Sequence, residues 1–444
     1  MKPEVPQTMT TVTDKASTRN SDPIPNFIGG EWVAASGTDA LNVMDPGTHE
    51  VLAQVPLSTA GDVDTAVAAA REAFPAWRAT PAAERVRVLF RLQALLKEHQ
   101  DELARMLSRE HGKNFKECHG EVQRGIENVE HACGIPTLMM GDTLEDVARG
   151  IDCETIRQPI GVFAGITPYN FPVMIPLWFW PYAVATGNTF VLKPSEQDPL
   201  THQKIVDLAR EAGLPEGVLN VVHGDKTVST ALIEHPDVVG ISFVGSSEIA
   251  RIIYRDGAAR GKRVQALGGA KNHMIVLPDA DLELSADAIV NSVYGSAGQR
   301  CLAGSQIVGV GEAYDQIRDR IVAGASAVRV GYGLDPDTFM GPVISAPHRE
   351  RIEGYIEAGV KEGAQVLIDG RGFKVDGYPK GNWVGPTVLE GVSPEQSVGR
   401  EEIFGPVAGL TRAESVEDAI ELMHRVEYGN ATSIFTTSGR AARE

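Results

Sequence analysis

The stretch "GVFAGITPYNFPVMIPLWFWPYAVATGNTFVLKP", residues 161–194, decides the fold. Its first and last segments, 161–166 and 188–194, are short apolar runs bounded by glycine, proline and asparagine, a pattern typical of buried strands. The middle segment, 171–185, is longer and almost wholly apolar, which predicts a buried helix. A strand, a helix and a second strand in this order predict a βαβ unit with parallel strands.

The same apolar run, 171–185, invites comparison with a membrane span. It is too short to cross a bilayer, which needs about 20 apolar residues, and three prolines interrupt it. Those prolines are Pro172, Pro176 and Pro181. We therefore expect a helix at the core of a domain and no membrane partner.

The alternation of strands and helices continues through the rest of the chain. After 161–194 the predicted elements are a helix (200–212), a strand (218–224), a helix (227–235), a strand (238–245) and a helix (247–256). A second unit begins with the strand 273–278 and continues through 285–300, 312–328, 348–363 and 364–370. The pattern predicts an α/β protein with two α/β domains and a cleft between them, where ligands would meet the carboxyl ends of the strands. Upstream, 61–78 has helical spacing, and Thr80-Pro81 predicts a second helix with a capping hydroxyl.

The composition of the chain restricts the partners, the metal sites and the cellular compartment that we expect for it. The chain has 444 residues, 43% of them hydrophobic and 23% charged, with a formal net charge of −18. So acidic a chain is a poor match for nucleic acid, which needs a basic surface. The four cysteines show no zinc-like spacing and no disulfide framework, so we expect free thiols, no metal site and a reducing cytoplasm. The polar segment 1–24 predicts a disordered tail.

Local sequence leaves the chemistry open. The chain has no GxGxxG and no Walker loop, and "FVGSSEIA" (243–250) is only a weak candidate for a pyrophosphate-binding helix start. Lys193 and Glu196 fit a solvated turn better than a ribose site. A lone cysteine such as Cys301 is usually a core residue, although its glycine-rich flanks and the preceding Arg300 favour a reactive thiolate.

Five motifs in order resemble the aldehyde dehydrogenase superfamily. They are "ITPYNFP" (166–172), "LKPSEQDP" (192–199), "FVGSSE" (243–248), "GQRC" (298–301) and "EEIFGPV" (401–407), and the similarity extends from about residue 27 to the last residue. Within the superfamily the chain is most similar to the CoA-acylating methylmalonate-semialdehyde branch. The segments that carry this are 124–152, "GAKNH" (269–273), "GQRC" and "FMGPVIS" (339–345).

The resemblance assigns roles to particular residues. Cys301 would be the nucleophile that forms a thiohemiacetal and then a thioester, and Asn170 would stabilise the oxyanion together with a backbone N–H. Arg124 and Arg300 would bind a substrate carboxylate, because arginine can grip a carboxylate with two hydrogen bonds. The alternative for Arg124 is a salt bridge to Glu121 or Glu127 on its own helix. The resemblance assigns NAD binding to Thr167, Tyr169, Lys193, Glu196, Gly245, Ser246, Glu402 and Phe404.

The residue at position 267 bears on the second step. Hydrolytic members carry a glutamate base in "ELGGK", where this chain has "QALGGAKNH" (265–273), so the base is replaced by Leu267. CoA, a good nucleophile, needs less help, so the resemblance implies NAD-dependent conversion of methylmalonate or malonate semialdehyde to propionyl-CoA or acetyl-CoA with loss of CO₂. Two alternatives stay open: a hydrolytic aldehyde dehydrogenase that uses another base, and an inactive remnant that binds only NAD or partners.

The resemblance also divides the chain. It implies a Rossmann-type NAD-binding domain (25–141 and 159–266), a protruding oligomerisation hairpin (142–158) and a catalytic domain (267–444). Members of the superfamily continue for several tens of residues past the position of Glu444. We therefore expect a fragment, a truncated gene product or a protein that lacks those parts, with poor stability. A homo-oligomer, either a dimer or a tetramer, is expected if that end is present.

Overall fold

The computed structural model describes residues 23–444, so the predicted disordered tail, 1–24, lies outside the described residues except for its last two. The strands in chain order are β1 Asn26–Ile28, β2 Glu31–Val33, β3 Ala40–Met44, β4 Val51–Pro56, β5 Thr143–Ala148, β6 Ile151–Glu154, β7 Val162–Ile166, β8 Thr189–Lys193, β9 Leu219–Val221, β10 Val238–Val244, β11 Arg263–Leu267, β12 Asn272–Val276, β13 Gly304–Val310, β14 Gln365–Ile368, β15 Thr387–Glu390, β16 Val407–Ala413 and β17 Thr432–Phe435. The helices are α1 Ala60–Ala79, α2 Ala82–Glu98, α3 Gln100–His111, α4 Phe115–Cys133, α5 Ile135–Leu138, α6 Met174–Ala185, α7 Leu200–Glu211, α8 Lys226–Glu234, α9 Ser247–Ala259, α10 Leu282–Tyr294, α11 Ala313–Ser326, α12 Ala346–Lys361, α13 Ser397–Arg400 and α14 Val416–His424, with a 3₁₀ turn at Gly295–Gly298.

The first large sheet has the order β11-β10-β7-β8-β9-β1-β2. Its strands from β11 to β9 are parallel, as the alternating pattern predicts. The sheet is mixed, however, because β1 and β2 add to its edge in antiparallel orientation. Gly29 and Gly30 both have positive φ and form the turn between them. Strands β1 and β2 have only three residues each, and no alternating pattern in the sequence predicts them.

The stretch 161–194 folds as predicted, with one shift. The strands β7 and β8 flank α6, but α6 begins at Met174, three residues after the predicted start at Phe171. The helix is apolar all round and packs in the largest core cluster, in which Trp180 is fully buried. Within residues 23–444, no helix is long and apolar enough to cross a membrane.

The predicted cap at Thr80 is wrong. The Thr80 hydroxyl donates a hydrogen bond to the carbonyl of Ala76 at 3.0 Å and so closes α1 behind it. The residue that precedes α2 is Pro81, whose side chain makes no capping bond. A threonine between two helices can serve either one, and local sequence does not decide which.

The second large sheet has the order β14-β15-β16-β13-β12-β17 and is parallel except for β14. It has its own core cluster, which includes Tyr294, Ile307 and Leu410. Two α/β units, each built on its own sheet, are the architecture that the sequence predicts. In chain order, the last strand of the first sheet is β11, which ends at Leu267, and the first strand of the second sheet is β12, which begins at Asn272. The loop between these two strands joins the two units.

A two-stranded hairpin, β5–β6, stands apart from both large sheets. It falls within the predicted segment 142–158, and every residue of both its strands is exposed. Several of these residues are apolar: Leu144, Val147 and Ile151 are each more than half exposed.

Candidate active site

Three of the predicted cofactor residues lie at the carboxyl ends of β7 and β8. Lys193 is the last residue of β8, and its buried Nζ donates to Glu196 Oε2 at 2.6 Å. The Thr167 N–H donates to the Lys193 carbonyl at 3.1 Å, which ties the two strand ends together. The Thr167 hydroxyl is buried without a hydrogen-bond partner among the described residues. Polar groups at this edge of a parallel sheet are where a ligand of a doubly wound fold binds.

The start of α9 lies beside this edge. Ser246 precedes the helix and its side chain makes no capping bond, so a ligand can approach the first amides of α9. Gly245 donates its N–H to the Leu267 carbonyl at 3.1 Å. A Cβ at Gly245 would lie 2.4 Å from the Phe243 ring, so only glycine fits the turn. The Ser247 hydroxyl accepts the Gly269 N–H at 2.9 Å, which brings the loop between the two sheets to this helix start.

The same loop contacts the carboxylate of Glu402, a residue of the segment between α13 and β16. Its Oε1 accepts the Ala270 N–H at 3.0 Å, and a Cβ at Gly269 would lie 2.3 Å from Oε2. Burial raises the pKa of the Glu402 carboxyl, against the lowering effects of the Ala270 N–H, Arg351 and Lys271. Arg351 donates to the carbonyls of Glu402 and Ile403 at 2.8 and 2.7 Å and fixes the backbone of this segment.

Cys301 lies in a tight turn after the 3₁₀ segment. The turn is closed by the Ala303 N–H, which donates to the Arg300 carbonyl at 3.0 Å. Ahead of it, Ser296 and Ala297 both have positive φ, a conformation that side chains rarely adopt and that the surrounding structure must hold. One cleft is lined by Cys301, Arg300, Glu402 and Phe404.

The thiol of Cys301 is partly buried, and burial raises its pKa. The Glu402 carboxylate raises the pKa further, whereas the backbone N–H groups of Cys301 and Leu302 lower it. Arg300 also lowers it, but its effect is the smallest of these. The charge of Arg300 therefore acts in the expected direction, but desolvation of the thiol outweighs it and the net pKa is raised.

Asn170 lies between β7 and α6, and its backbone is held by a buried ion pair. Lys113 Nζ donates to the Asn170 carbonyl and to Glu121 Oε2, each at 2.5 Å. Glu121 Oε1 accepts the N–H groups of Val173 and Met174 at 2.9 and 3.3 Å, at the start of α6. No hydrogen bond joins the Asn170 carboxamide to another residue within 23–444, so its NH₂ is available to a ligand.

An aromatic contact links this segment to the cleft of Cys301. The Tyr169 ring meets Phe404 edge-on, with ring centroids 6.0 Å apart, and its hydroxyl lies 3.3 Å from His348 Nε2. His348 Nε2 also lies 2.8 Å from the Phe404 carbonyl. Phe404 has a φ of +59°, so these contacts hold a strained backbone at the mouth of the site.

Arg124 and Arg300 line a second cleft of about 590 Å³, on the side of α4. The proposed intrahelical salt bridge of Arg124 is absent within residues 23–444. Its Nε faces Met174 Sδ at 3.4 Å and its guanidinium lies 5.8 Å from the centre of the Phe171 ring. Glu121 is instead paired with Lys113. Arg300 borders both clefts, and so connects the thiol to the second one.

Leu267, at the position of the missing base, ends β11 and is 40% exposed. Its side chain has no proton-accepting group. Residues 23–444 contain no cluster of three His, Cys, Asp or Glu side chains that could hold a metal ion. The arrangement offers a thiol, an available carboxamide and two cations, which suits nucleophilic attack on a carbonyl whose substrate also carries an anion.

Sequence reasoning missed the residues that support these groups. Lys113 and Glu121 are eight positions apart across the start of α4, a spacing that corresponds to no helical pair. Asn272 stands in the quoted "GAKNH", but a single asparagine beside a strand carries no signal of its partners. The one signal of these supports in the sequence is the glycine at position 269 and its glycine neighbour, because glycine lets another segment approach the backbone closely.

Comparison with known proteins identifies the family and the fold. The model of the aldehyde dehydrogenase family matches residues 32–444. A malonate-semialdehyde dehydrogenase of Geobacillus kaustophilus is 50% identical, over 95% of this chain and 86% of its own length. An acylating, mitochondrial methylmalonate-semialdehyde dehydrogenase of Arabidopsis thaliana is 48% identical, over 95% of this chain and 69% of its own. The crystal structure of a Sinorhizobium meliloti protein, described as a methylmalonate-semialdehyde dehydrogenase and complexed with NAD, superposes with a TM-score of 0.93 at 44% identity, covering 95% of this chain and 86% of that one.

Proposed function

The chain belongs to the aldehyde dehydrogenase family, and from this premise we propose that it oxidises malonate or methylmalonate semialdehyde with NAD and transfers the acyl group to CoA. The observation that carries the choice of substrate is the pair Arg124 and Arg300, which line one cleft, with Arg300 also bordering the thiol. A semialdehyde has a carboxylate close to its carbonyl. Neutral aldehydes have no group for these cations.

In the proposed reaction, the Cys301 thiol gives its proton to solvent, and the resulting Sγ thiolate attacks the aldehyde carbon while the carbonyl π electrons move to oxygen. The Asn170 NH₂ and the Cys301 N–H donate hydrogen bonds to that oxyanion, a contribution typically worth about 3–4 kcal/mol. NAD supplies the hydride acceptor when bound. Loss of the hydride leaves an acyl thioester on Cys301. The arginine-bound carboxylate then leaves as CO₂, the electrons of the broken C–C bond form the enolate of the thioester, and a proton from solvent adds to its α-carbon to complete the acetyl or propionyl group.

The surfaces that would hold NAD fit its chemistry. The uncapped start of α9, with Gly245 and Ser246, offers amides to a pyrophosphate. Lys193 and Glu196 would bind the hydroxyls of the adenosine ribose, and Glu402 those of the nicotinamide ribose. The Glu196 carboxylate favours NAD over NADP because it would repel a 2′-phosphate.

The residue at position 267 is the reason for proposing transfer of the acyl group to CoA. With leucine there, no side chain at that position can deprotonate water, so hydrolysis of the thioester is slow. The CoA thiolate attacks the thioester carbon, breaks its bond to Sγ and returns Cys301 as the leaving thiolate. The products are acetyl-CoA or propionyl-CoA.

The test measures NADH formation from each semialdehyde and from propionaldehyde, with and without CoA. Arg124→Met should raise KM for the semialdehydes by about 10–100-fold, the equivalent of one hydrogen bond to a charged group, and leave propionaldehyde unchanged. Arg105→Met is the matched control, since Arg105 also stacks on an aromatic ring, that of Phe115, but does not line the cleft. Steady turnover to free acid without CoA would overturn the proposal.

We also propose that the protein works in the cytoplasm as a homo-oligomer, a dimer or a tetramer. The exposed apolar side chains of the β5–β6 hairpin, such as Leu144 and Ile151, support an interface there. Light scattering of the purified chain and of Leu144→Asp tests it, because a charge in that interface should lower the measured mass.

A further inference from the structure

Asn272, which has no part in the proposed reaction, holds the backbone around Cys301 with hydrogen bonds from its side chain. Its buried carboxamide Nδ2 donates to the carbonyls of Cys301 and Ala303, at 2.8 and 2.9 Å. Its Oδ1 accepts the Ala431 N–H at 3.1 Å. A second carboxamide, that of Asn430, donates to the same Cys301 carbonyl at 3.2 Å.

The ladder between β12 and β13 is irregular at this point. Asn272 pairs with Gly304, but His273 pairs with Gln306, so β13 has one additional residue, as in a β-bulge. Bulges redirect the strand and leave main-chain groups without a ladder partner. The Asn272 side chain supplies the hydrogen bonds at this irregularity.

The held carbonyl belongs to the central peptide of the turn. The turn-closing hydrogen bond uses the Arg300 carbonyl and the Ala303 N–H, and therefore does not involve the peptide between Cys301 and Leu302. Turn types differ mainly in the rotation of this central plane. Because a peptide unit is planar and trans, fixing its oxygen also fixes the direction of its N–H.

That N–H is the one of Leu302, which with the Cys301 N–H lowers the pKa of the Cys301 thiol. The charged groups that face the thiol are Glu402, which raises the pKa, and Arg300, whose lowering effect is weaker than that of the two amides. The Leu302 amide therefore favours the thiolate, and the Asn272 hydrogen bond to the Cys301 carbonyl sets the direction of that amide.

We propose that Asn272, assisted by Asn430, is a positioning residue that locks the Cys301–Leu302 peptide so that the Leu302 N–H faces Cys301 Sγ. The inference rests on the proposed function in taking Cys301 as the nucleophile. It adds that the reactivity of the nucleophile depends on two asparagines from β12 and from the segment before β17.

The experiment measures alkylation of Cys301 by iodoacetamide against pH in the full chain, with sites assigned by peptide mass spectrometry. Asn272→Ser is too short to reach both carbonyls. It should move the alkylation midpoint of Cys301 upward by about one pH unit, the equivalent of one hydrogen bond to a charged group.

Asn220→Ser is the matched control. Asn220 is equally buried and makes the same kinds of bond in the other sheet, to the Gly217 carbonyl at 2.8 Å and from the Gly29 N–H at 2.9 Å. It should lower thermal stability and leave the Cys301 midpoint unchanged. A wild-type midpoint in Asn272→Ser would overturn the proposal and reduce Asn272 to a structural residue.

Should Asn272→Ser fail to fold, Asn430→Ser decides, because the Asn430 side chain is exposed and its loss is tolerable. A midpoint raised by about half a unit supports the proposal, and an unchanged midpoint overturns it. Alkylation needs no semialdehyde, NAD or CoA. Its outcome is therefore independent of whether the chain oxidises the proposed substrates.

Discussion

The buried pair of Lys113 and Glu121 should be the most sensitive structural element around Asn170. Their side chains are 1% and 0% exposed, and Lys113 Nζ also holds the Asn170 carbonyl. Lys113→Met removes the cation and leaves the Glu121 carboxylate buried with only the Val173 and Met174 N–H groups as partners. Breaking a buried pair in this way costs about 3–5 kcal/mol of unfolding free energy.

A second substitution should recover part of that loss. In Lys113→Met with Glu121→Gln the uncompensated charge is gone, while the amide oxygen of the glutamine still accepts from the start of α6. We expect the double variant to be more stable than Lys113→Met by about 1–3 kcal/mol, the desolvation penalty of an unsatisfied polar group. Lys116→Met changes an exposed lysine on α4, the helix of Glu121, and should change stability by less than about 0.5 kcal/mol.

Urea unfolding, followed by the fluorescence of the buried Trp77 and Trp180, measures these differences in the domain that contains the pair. A burst of NADH from the folded variants reports on Asn170, and it should fall in Lys113→Met because the Asn170 carbonyl loses its anchor. If the double variant is no more stable than Lys113→Met, the buried charge is not the source of the loss and the reasoning fails.

Three further predictions concern the reacting groups. Leu267→Glu should introduce steady NADH formation without CoA, because a general base typically contributes about 10²–10⁴-fold; dependence on CoA as strict as in the wild type would contradict this. Alkylation of wild-type Cys301 should rise about tenfold per pH unit from 7 to 9, since burial raises the thiol pKa and the thiolate is the reactive form; a plateau below pH 7 would refute it. Burial lowers the pKa of Lys271 to about 8, so between pH 8 and 10.5 the unfolded chain holds this proton while the folded chain loses it. The free energy of unfolding of the wild type, measured relative to that of Lys271→Met, should therefore rise across this range of pH.

Sequence patterns predicted the parallel part of each sheet because those strands are continuous apolar runs with glycine or proline at their ends. The start of α6 was placed three residues early, since apolar content does not distinguish Phe171, in the preceding turn, from Met174, in the helix. Tertiary contacts set that boundary: the Glu121 carboxylate accepts the N–H groups of Val173 and Met174. Such a contact joins residues about fifty positions apart and leaves no local trace.

Sequence motifs identify the candidate site residues, but they do not identify the residues that hold those side chains in place. Motifs place Glu402 and Phe404 in the sequence, but the positive φ of Phe404 and its contact with His348 depend on the packing of α12 against that loop. The same limit applies to Asn272, whose three partners lie in two other segments. Hydrogen-bond partners of this kind follow from the fold, and a single sequence does not specify them.

Arg300 is next to Cys301 in the sequence, but its position in the structure suits binding of a substrate carboxylate better than activation of the thiol. Its guanidinium donates to the carbonyls of Asn291 and Ser292, at 2.5 and 3.1 Å, and so points toward the end of α10. Its effect on the thiol is therefore weak, and the backbone amides of the turn do more to favour the thiolate. A cation held away from the thiol but on the border of both clefts can bind the carboxylate of a substrate without neutralising the nucleophile. In a chain with a net charge of −18, such a local cation would also attract the anionic substrate that we propose.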